Sequence, residues 1–214
     1  MKCCSQCDGI ERMFDSSIAA SELKDYRKNG PAKTTRLLID TLRAQGVADL
    51  TLLVIGGGVG AIQHLLLENG VRRAVNVDAS TSYIHAAQQE AQRLGHADRV
   101  TYQHGDFVNL APEIEPVDIV TLDRVICCYP DMQALVGLSA QRAQRYYGVV
   151  FPQDAWWMKL ARVPMNGLFR LQRNPFRFFV HPTQAVESVI HASGLRNIFQ
   201  QNVGLVWQVR LYAR

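Results

Sequence analysis

The stretch that decides the fold is LLVIGGGVGA, Leu52 to Ala61. An apolar run of strand length meets a glycine cluster, and a helical pattern follows from Ala61 to Asn69, closed by Gly70. Strand, tight turn and helix in that order make the opening unit of a parallel sheet. Working outward, the same alternation repeats. Ala74–Asp78 predicts a second strand, and Ser80 offers an N-cap to a helix that turns Ile84, Ala87, Ala91 and Leu94 inward. Arg99–His104 and Val117–Leu122 predict strands three and four, Asp131 caps a helix reaching about Arg145, and Tyr146–Phe151 predicts strand five. Pro182 opens a helix that ends at Gly194. Two β-like runs, 196–203 and 205–213, flank Gly204 and predict an antiparallel hairpin on the sheet edge. Upstream, 9–30 looks helical without clear periodicity, and 32–45 carries Leu37, Leu38 and Leu42 on one face before Gly46. The expected fold is therefore α/β, a Rossmann-like, mostly parallel sheet of seven strands with an antiparallel C-terminal hairpin and helices on both faces. One domain is expected over 1–214, with 1–46 as a helical arm and 152–180 as a cap.

Bulk properties exclude several classes. Of 214 residues 48% are hydrophobic and 20% charged, ordinary values for a globular protein. No apolar run approaches the roughly eighteen residues of a membrane span, and the first residues lack an apolar signal core, so a cytoplasmic protein is expected. A net charge of +4 is too mild to demand nucleic acid. Five cysteines without an export signal point to reduced thiols. Cys3, Cys4 and Cys7 cluster at the start, but no second Cys-x-x-Cys follows, so no metal is expected.

The glycine turn supports two cofactor chemistries. Gly56-x-Gly58-x-x-Ala61 fits a dinucleotide fingerprint, and Gly56-x-Gly58-x-Gly60 fits a loop for S-adenosylmethionine. Glycines let the backbone approach a ligand without a Cβ, and the amides of the following helix favour polar or anionic groups. Asp78 ends the second strand, where a carboxylate takes both ribose hydroxyls of an adenosine in either family. His104-Gly-Asp-Phe107 follows the third strand. Asp106 there suits the exocyclic amine of adenine, with Phe107 covering the ring. Only about sixty residues follow strand five, too few for the substrate domain of a dehydrogenase.

VIGGGVG, VNVDAS, HGDF, VDIVTLD and YYGVVFP, in this order and spacing, make the chain resemble a class I S-adenosylmethionine-dependent methyltransferase. DRVICCYPD and FRFFVHP are further similar to proteins grouped loosely with magnesium-protoporphyrin O-methyltransferases. The resemblance implies S-adenosylmethionine as cofactor, held by Gly56, Gly57, Gly58, Gly60, Asp78, Ala79, Asp106, Phe107 and Asp123. It also implies an arm whose Tyr26 and Arg27 close over the methionine portion, with Arg27 pairing its carboxylate. One position departs from the pattern: two residues before the first glycine the family often carries an acid, and here it is Val54.

A sulfonium methyl is already electrophilic, so positioning dominates and a base is needed only for a protonated acceptor. Asp123, leaving strand four, and His181, before Pro182, are the candidate catalytic groups. Tyr129 and the cap residues Trp156 and Trp157 are candidate substrate contacts. Cys127 and Cys128 read as small packed residues. Between Ala155 and His181 lie Lys159, Arg162, Arg170, Arg173 and Arg177 with no acid, interleaved with aromatics. Flat rings with basic heads suit a planar, anionic small molecule, and the same composition suits a peripheral membrane contact or single-stranded nucleic acid, the last disfavoured by the mild net charge. The expected function is methyl transfer to a small-molecule acceptor, at oxygen. A nicotinamide-dependent oxidoreductase and a non-catalytic S-adenosylmethionine-binding protein of the same fold are the alternatives.

Overall fold

The computed structural model describes residues 5–214; Cys3 and Cys4 lie outside the described residues. The elements in chain order are α1 (Ser5–Met13), α2 (Ser16–Asn29), α3 (Lys33–Arg43), β1 (Thr51–Ile55), α4 (Ala61–Glu68), β2 (Arg73–Asp78) and α5 (Thr81–Leu94). Next come β3 (Val100–His104), α6 (Phe107–Leu110), β4 (Val117–Asp123), α7 (Met132–Arg142) and β5 (Ala143–Pro152). The chain closes with α8 (Trp156–Leu171), α9 (Thr183–Ala192), β6 (Arg196–Val203) and β7 (Trp207–Ala213).

The seven strands form one sheet in the order β3-β2-β1-β4-β5-β7-β6. The first five are parallel, and β7 runs antiparallel between β5 and β6. Both faces of β1 are buried from Leu52 to Ile55, in keeping with the unbroken apolar run there. Leu53 and Ile55 join a core with α7 and α9, through Leu135, Val136, Val186 and Ile190. Leu52 and Val54 join the opposite core with α3 and α4, through Leu38, Leu42, Ile62 and Leu66. A third cluster seats the arm: Ala19 and Leu23 of α2 pack on Val59, Tyr83 and Ala86.

Three boundaries differ from expectation. The run expected as one helix over 9–30 is split between α1 and α2, because Asp15 breaks it and accepts hydrogen bonds from the amides of Ser17 and Ile18, at 2.9 and 3.0 Å. The helix after Asp131 stops at Arg142 rather than near Arg145. Ala143 already pairs with Val117 in the sheet, and Arg145 faces Asp118 at 3.3 Å, so strand pairing overrides a helix-favouring sequence. Most of the expected cap is a regular helix, α8, with Pro164 inside it.

Candidate active site

The strand order reverses at β1, with β2 on one side and β4 on the other, so a crevice opens at the carboxyl ends of β1 and β4. A cavity of about 490 Å³ lies there, within the usual range of roughly 300–1,000 Å³ for small-molecule sites. Three sources wall it: the glycine loop and strand ends, the arm, and the segment after α8.

The loop is shaped by backbone that only glycine adopts freely. Gly56, Gly58 and Gly60 have φ of 64, 54 and 86°. Gly57 is required by proximity instead: a Cβ there would fall 2.2 Å from Asn76 Nδ2. Asn76 in turn donates to Gln63 Oε1 at 2.6 Å, and Gln63 Nε2 donates to the Tyr102 hydroxyl at 3.0 Å. Asn76 is the β2 neighbour of Val54. Where the family pattern often places an acid on β1, this chain has Val54, and the Asn76–Gln63–Tyr102 network lies close against Gly57.

Asp78 stands at the cavity wall with 6% of its surface exposed. Its Oδ2 accepts from the Gly58 amide at 3.0 Å and its Oδ1 from the Ser80 amide at 2.9 Å. Burial pushes this carboxyl up to about 6, against the downward pull of those amides. Ala79 and Phe107 line the same cavity, and Phe107 is buried. Asp106 accepts from the Tyr129 hydroxyl at 2.9 and 3.0 Å and from the Val108 amide at 3.0 Å. Tyr129, expected at the substrate, thus also orients the acid expected at the adenine.

Asp123 ends β4 in the cavity, its side chain 9% exposed. Thr35 donates to its Oδ2 at 2.5 Å, and Arg124 Nε reaches its Oδ1 at 3.3 Å. Arg124 holds φ of 60°. It is the one cation lining the cavity among the described residues, against Glu22, Asp25, Asp78, Asp106 and Asp123. The Cys127 and Cys128 sulfurs lie 3.9 Å apart. Their mutual hydrogen bond and burial hold the Cys127 thiol well above its ordinary value, so it is neutral and no nucleophile.

Five expected residues do not line the cavity: Gly60, Arg27, His181, Trp156 and Trp157. Arg27 bonds Glu90 at 2.8 Å, because that carboxylate is fully buried and draws both Arg27 and Arg93. Tyr26, its neighbour, does face the cavity. His181 directs Nε2 to the Tyr129 carbonyl at 2.9 Å and stacks on Phe179; burial lowers its pKa. Trp156 is 76% exposed, and Trp157 is half-buried outside the cavity. Their places are taken by residues that sequence patterns miss: Phe14 from the arm, and Phe176 and Phe178 after α8. Gln6 ties these walls together, donating to the Cys128 and Arg177 carbonyls at 2.7 and 3.0 Å and accepting from the Arg177 amide. Among the described residues no group of three His, Cys, Asp or Glu side chains is placed to hold a metal ion.

Residues 53–144 match the family model of a methyltransferase domain. A search of curated protein sequences returns no match. Among solved structures, the chain is similar to magnesium protoporphyrin IX methyltransferase from Synechocystis PCC 6803 with bound SAH (S-adenosylhomocysteine). The TM-score is 0.75 at 18% identity, over 96% of this chain and 98% of that one. An O-methyltransferase family protein from Burkholderia thailandensis gives 0.68 at 15%, over 94% and 61%. An O-methyltransferase family 2 protein from Planctomyces limnophilus, in complex with apigenin, gives 0.65 at 16%, over 97% and 64%. The dinucleotide alternative gains nothing from these comparisons.

Proposed function

We propose that this chain is a class I S-adenosylmethionine-dependent methyltransferase and that it methylates an anionic oxygen on a planar small molecule, a reading that its domain match and its fold support. The cofactor fits what is present: a backbone cradle at Gly57 that a Cβ would fill, and a buried carboxylate, Asp78, at the cavity wall. When bound, S-adenosylmethionine supplies a methyl group made electrophilic by its sulfonium.

The chain's own residues do the rest. Asp78 holds the ribose hydroxyls, and Asp106, oriented by Tyr129, takes the adenine amine. Asp123, fixed by Thr35, faces the cationic methionine end. Five acids in the wall favour a cationic cofactor over an anionic one. Phe14, Phe176 and Phe178 give the acceptor a flat apolar wall and exclude water.

The observation that carries the acceptor class is Arg124, a lone cation in an acid-lined, aromatic-walled cavity. It suits one carboxylate or phenolate oxygen and little further anionic charge. A carboxylate needs no base, in keeping with His181 standing outside the cavity. The similar Synechocystis protein is a magnesium protoporphyrin IX methyltransferase, and the Planctomyces protein holds apigenin, so porphyrin carboxylates and flat phenols are the acceptors to try.

The test is transfer of a labelled methyl group to both acceptor types. A base-labile methyl ester or an aryl methyl ether supports the reading; label on nitrogen or carbon overturns it. Arg124→Gln should raise KM for the anionic acceptor about five- to thirtyfold. That is the lower part of the range for a charge-assisted bond, because Arg124 is 46% exposed. Affinity for S-adenosylhomocysteine should stay within threefold. If that affinity falls instead, Arg124 serves the cofactor and not the acceptor.

The raised Asp78 pKa sets a pH dependence. Ribose hydroxyls donate to the ionised carboxylate, so binding favours the deprotonated form. Above about pH 7 the group is already ionised and affinity should be flat. As pH falls through about 6, binding must expel a proton, and affinity should weaken by up to about tenfold per pH unit. Calorimetric titrations from pH 8 to 5 would show it. Asp78→Asn should bind more weakly and without this slope, and an equal slope in that variant would contradict the role.

A further inference from the structure

The longest helix of the described chain is also its least packed. α8 has sixteen residues, of which Met158 alone is buried. Trp156, Leu160, Val163 and Leu171 are 76, 64, 62 and 80% exposed. They recur at helical spacing and share one face with Gly167. Lys159, Arg162 and Arg170 flank that stripe, with Arg173 just beyond the helix, all exposed. No acid occurs between Asp154 and Glu187. The inner side of the helix is tied to the cavity wall: Asn166 exchanges hydrogen bonds with the Phe178 backbone at 2.9 and 2.8 Å, and Phe169 packs edge-on against Phe176 at 5.2 Å.

From this we infer that α8 docks the protein on an anionic lipid surface, lying in the plane of the interface. An apolar stripe ending in an amphipathic Trp, with a flank of one charge sign, is the form that an interfacial helix takes. Basic side chains bury their stems along the apolar boundary and set their charges among anionic headgroups. A protein partner fits less well, because Gly167 interrupts the seam and no acid is offered for a paired interface. No described helix is long and apolar enough to cross a membrane, so the contact is peripheral. Docking leaves Phe176 and Phe178, behind the helix in the cavity wall, on the protein side of the interface. It does not depend on the acceptor proposed above.

The test is co-sedimentation of the full chain with phosphatidylcholine vesicles, with and without about one-third phosphatidylglycerol. At least tenfold stronger partition onto the anionic vesicles is expected, lost in about 0.5 M salt. Leu160→Ser/Val163→Ser/Leu171→Ser and Lys159→Gln/Arg162→Gln/Arg170→Gln should each lower partition at least tenfold. Thermal unfolding and S-adenosylhomocysteine affinity should be unchanged in both, since none of these six side chains lines the cavity or is buried. Equal partition onto neutral and anionic vesicles, or none, overturns the inference. So does a dimer, seen by light scattering, that the apolar triple variant abolishes while vesicle binding is absent.

Discussion

Asp78→Ala is expected to weaken S-adenosylhomocysteine binding about 30- to 150-fold at pH 7.5. Two charge-assisted hydrogen bonds to the ribose are lost, together worth about 2–3 kcal/mol. The free protein should change much less in stability, because two effects oppose each other. Alanine removes a buried carboxylate whose ionisation is unfavourable there, as the rise to about 6 records. It also leaves the Gly58 and Ser80 amides without their acceptor. Calorimetry gives the affinity and thermal unfolding the stability. Binding within threefold of the unsubstituted protein would mean that the ribose lies elsewhere.

Gly56→Ala should be at least as damaging, for a reason that can be reversed. At φ of 64° an L-residue is strained by about 1–2 kcal/mol. Its Cβ would also sit 2.4 Å from Val125 Cγ2. Valine is stiff about χ1, so the loop rather than the side chain must give way. Affinity for S-adenosylhomocysteine should fall at least thirtyfold. Val125→Ala in the same chain removes the collision and leaves the strain, so binding should return to within about tenfold. Absence of rescue would show that Val125 does not set the loop's position.

The contrast between Asp78 and Arg27 shows what was legible in the sequence. Asp78 sits at the end of a strand whose place is set by periodicity, and its distance from Gly56 is set by one helix between them. Local pattern was enough. Arg27 sits on an arm helix, and its fate depends on Glu90, far along the chain on α5 and buried. No spacing rule announces that a carboxylate will be desolvated there. The same holds for Phe176 and Phe178, which reach the cavity because Gln6 and Asn166 clamp the segment that carries them. The strands and the helices on both faces of the sheet followed from the alternation of apolar runs, whereas the strand order came only with the fold, and the break at Asp15 needed recognition of an N-cap inside an unperiodic run. Val54 is instructive in another way. Its departure from the family pattern was visible at once, but the Asn76–Gln63–Tyr102 network beside the loop was not, because β2, α4 and β3 meet only in the fold.

The most direct test of the glycine-loop site is a paired titration of the protein with S-adenosylhomocysteine and with NADH. Saturable one-to-one binding of S-adenosylhomocysteine is expected, weakened about thirtyfold or more in Gly56→Ala and in Asp78→Ala, with no measurable binding of NADH. Tight binding of NADH alone, or S-adenosylhomocysteine binding indifferent to both substitutions, would contradict it.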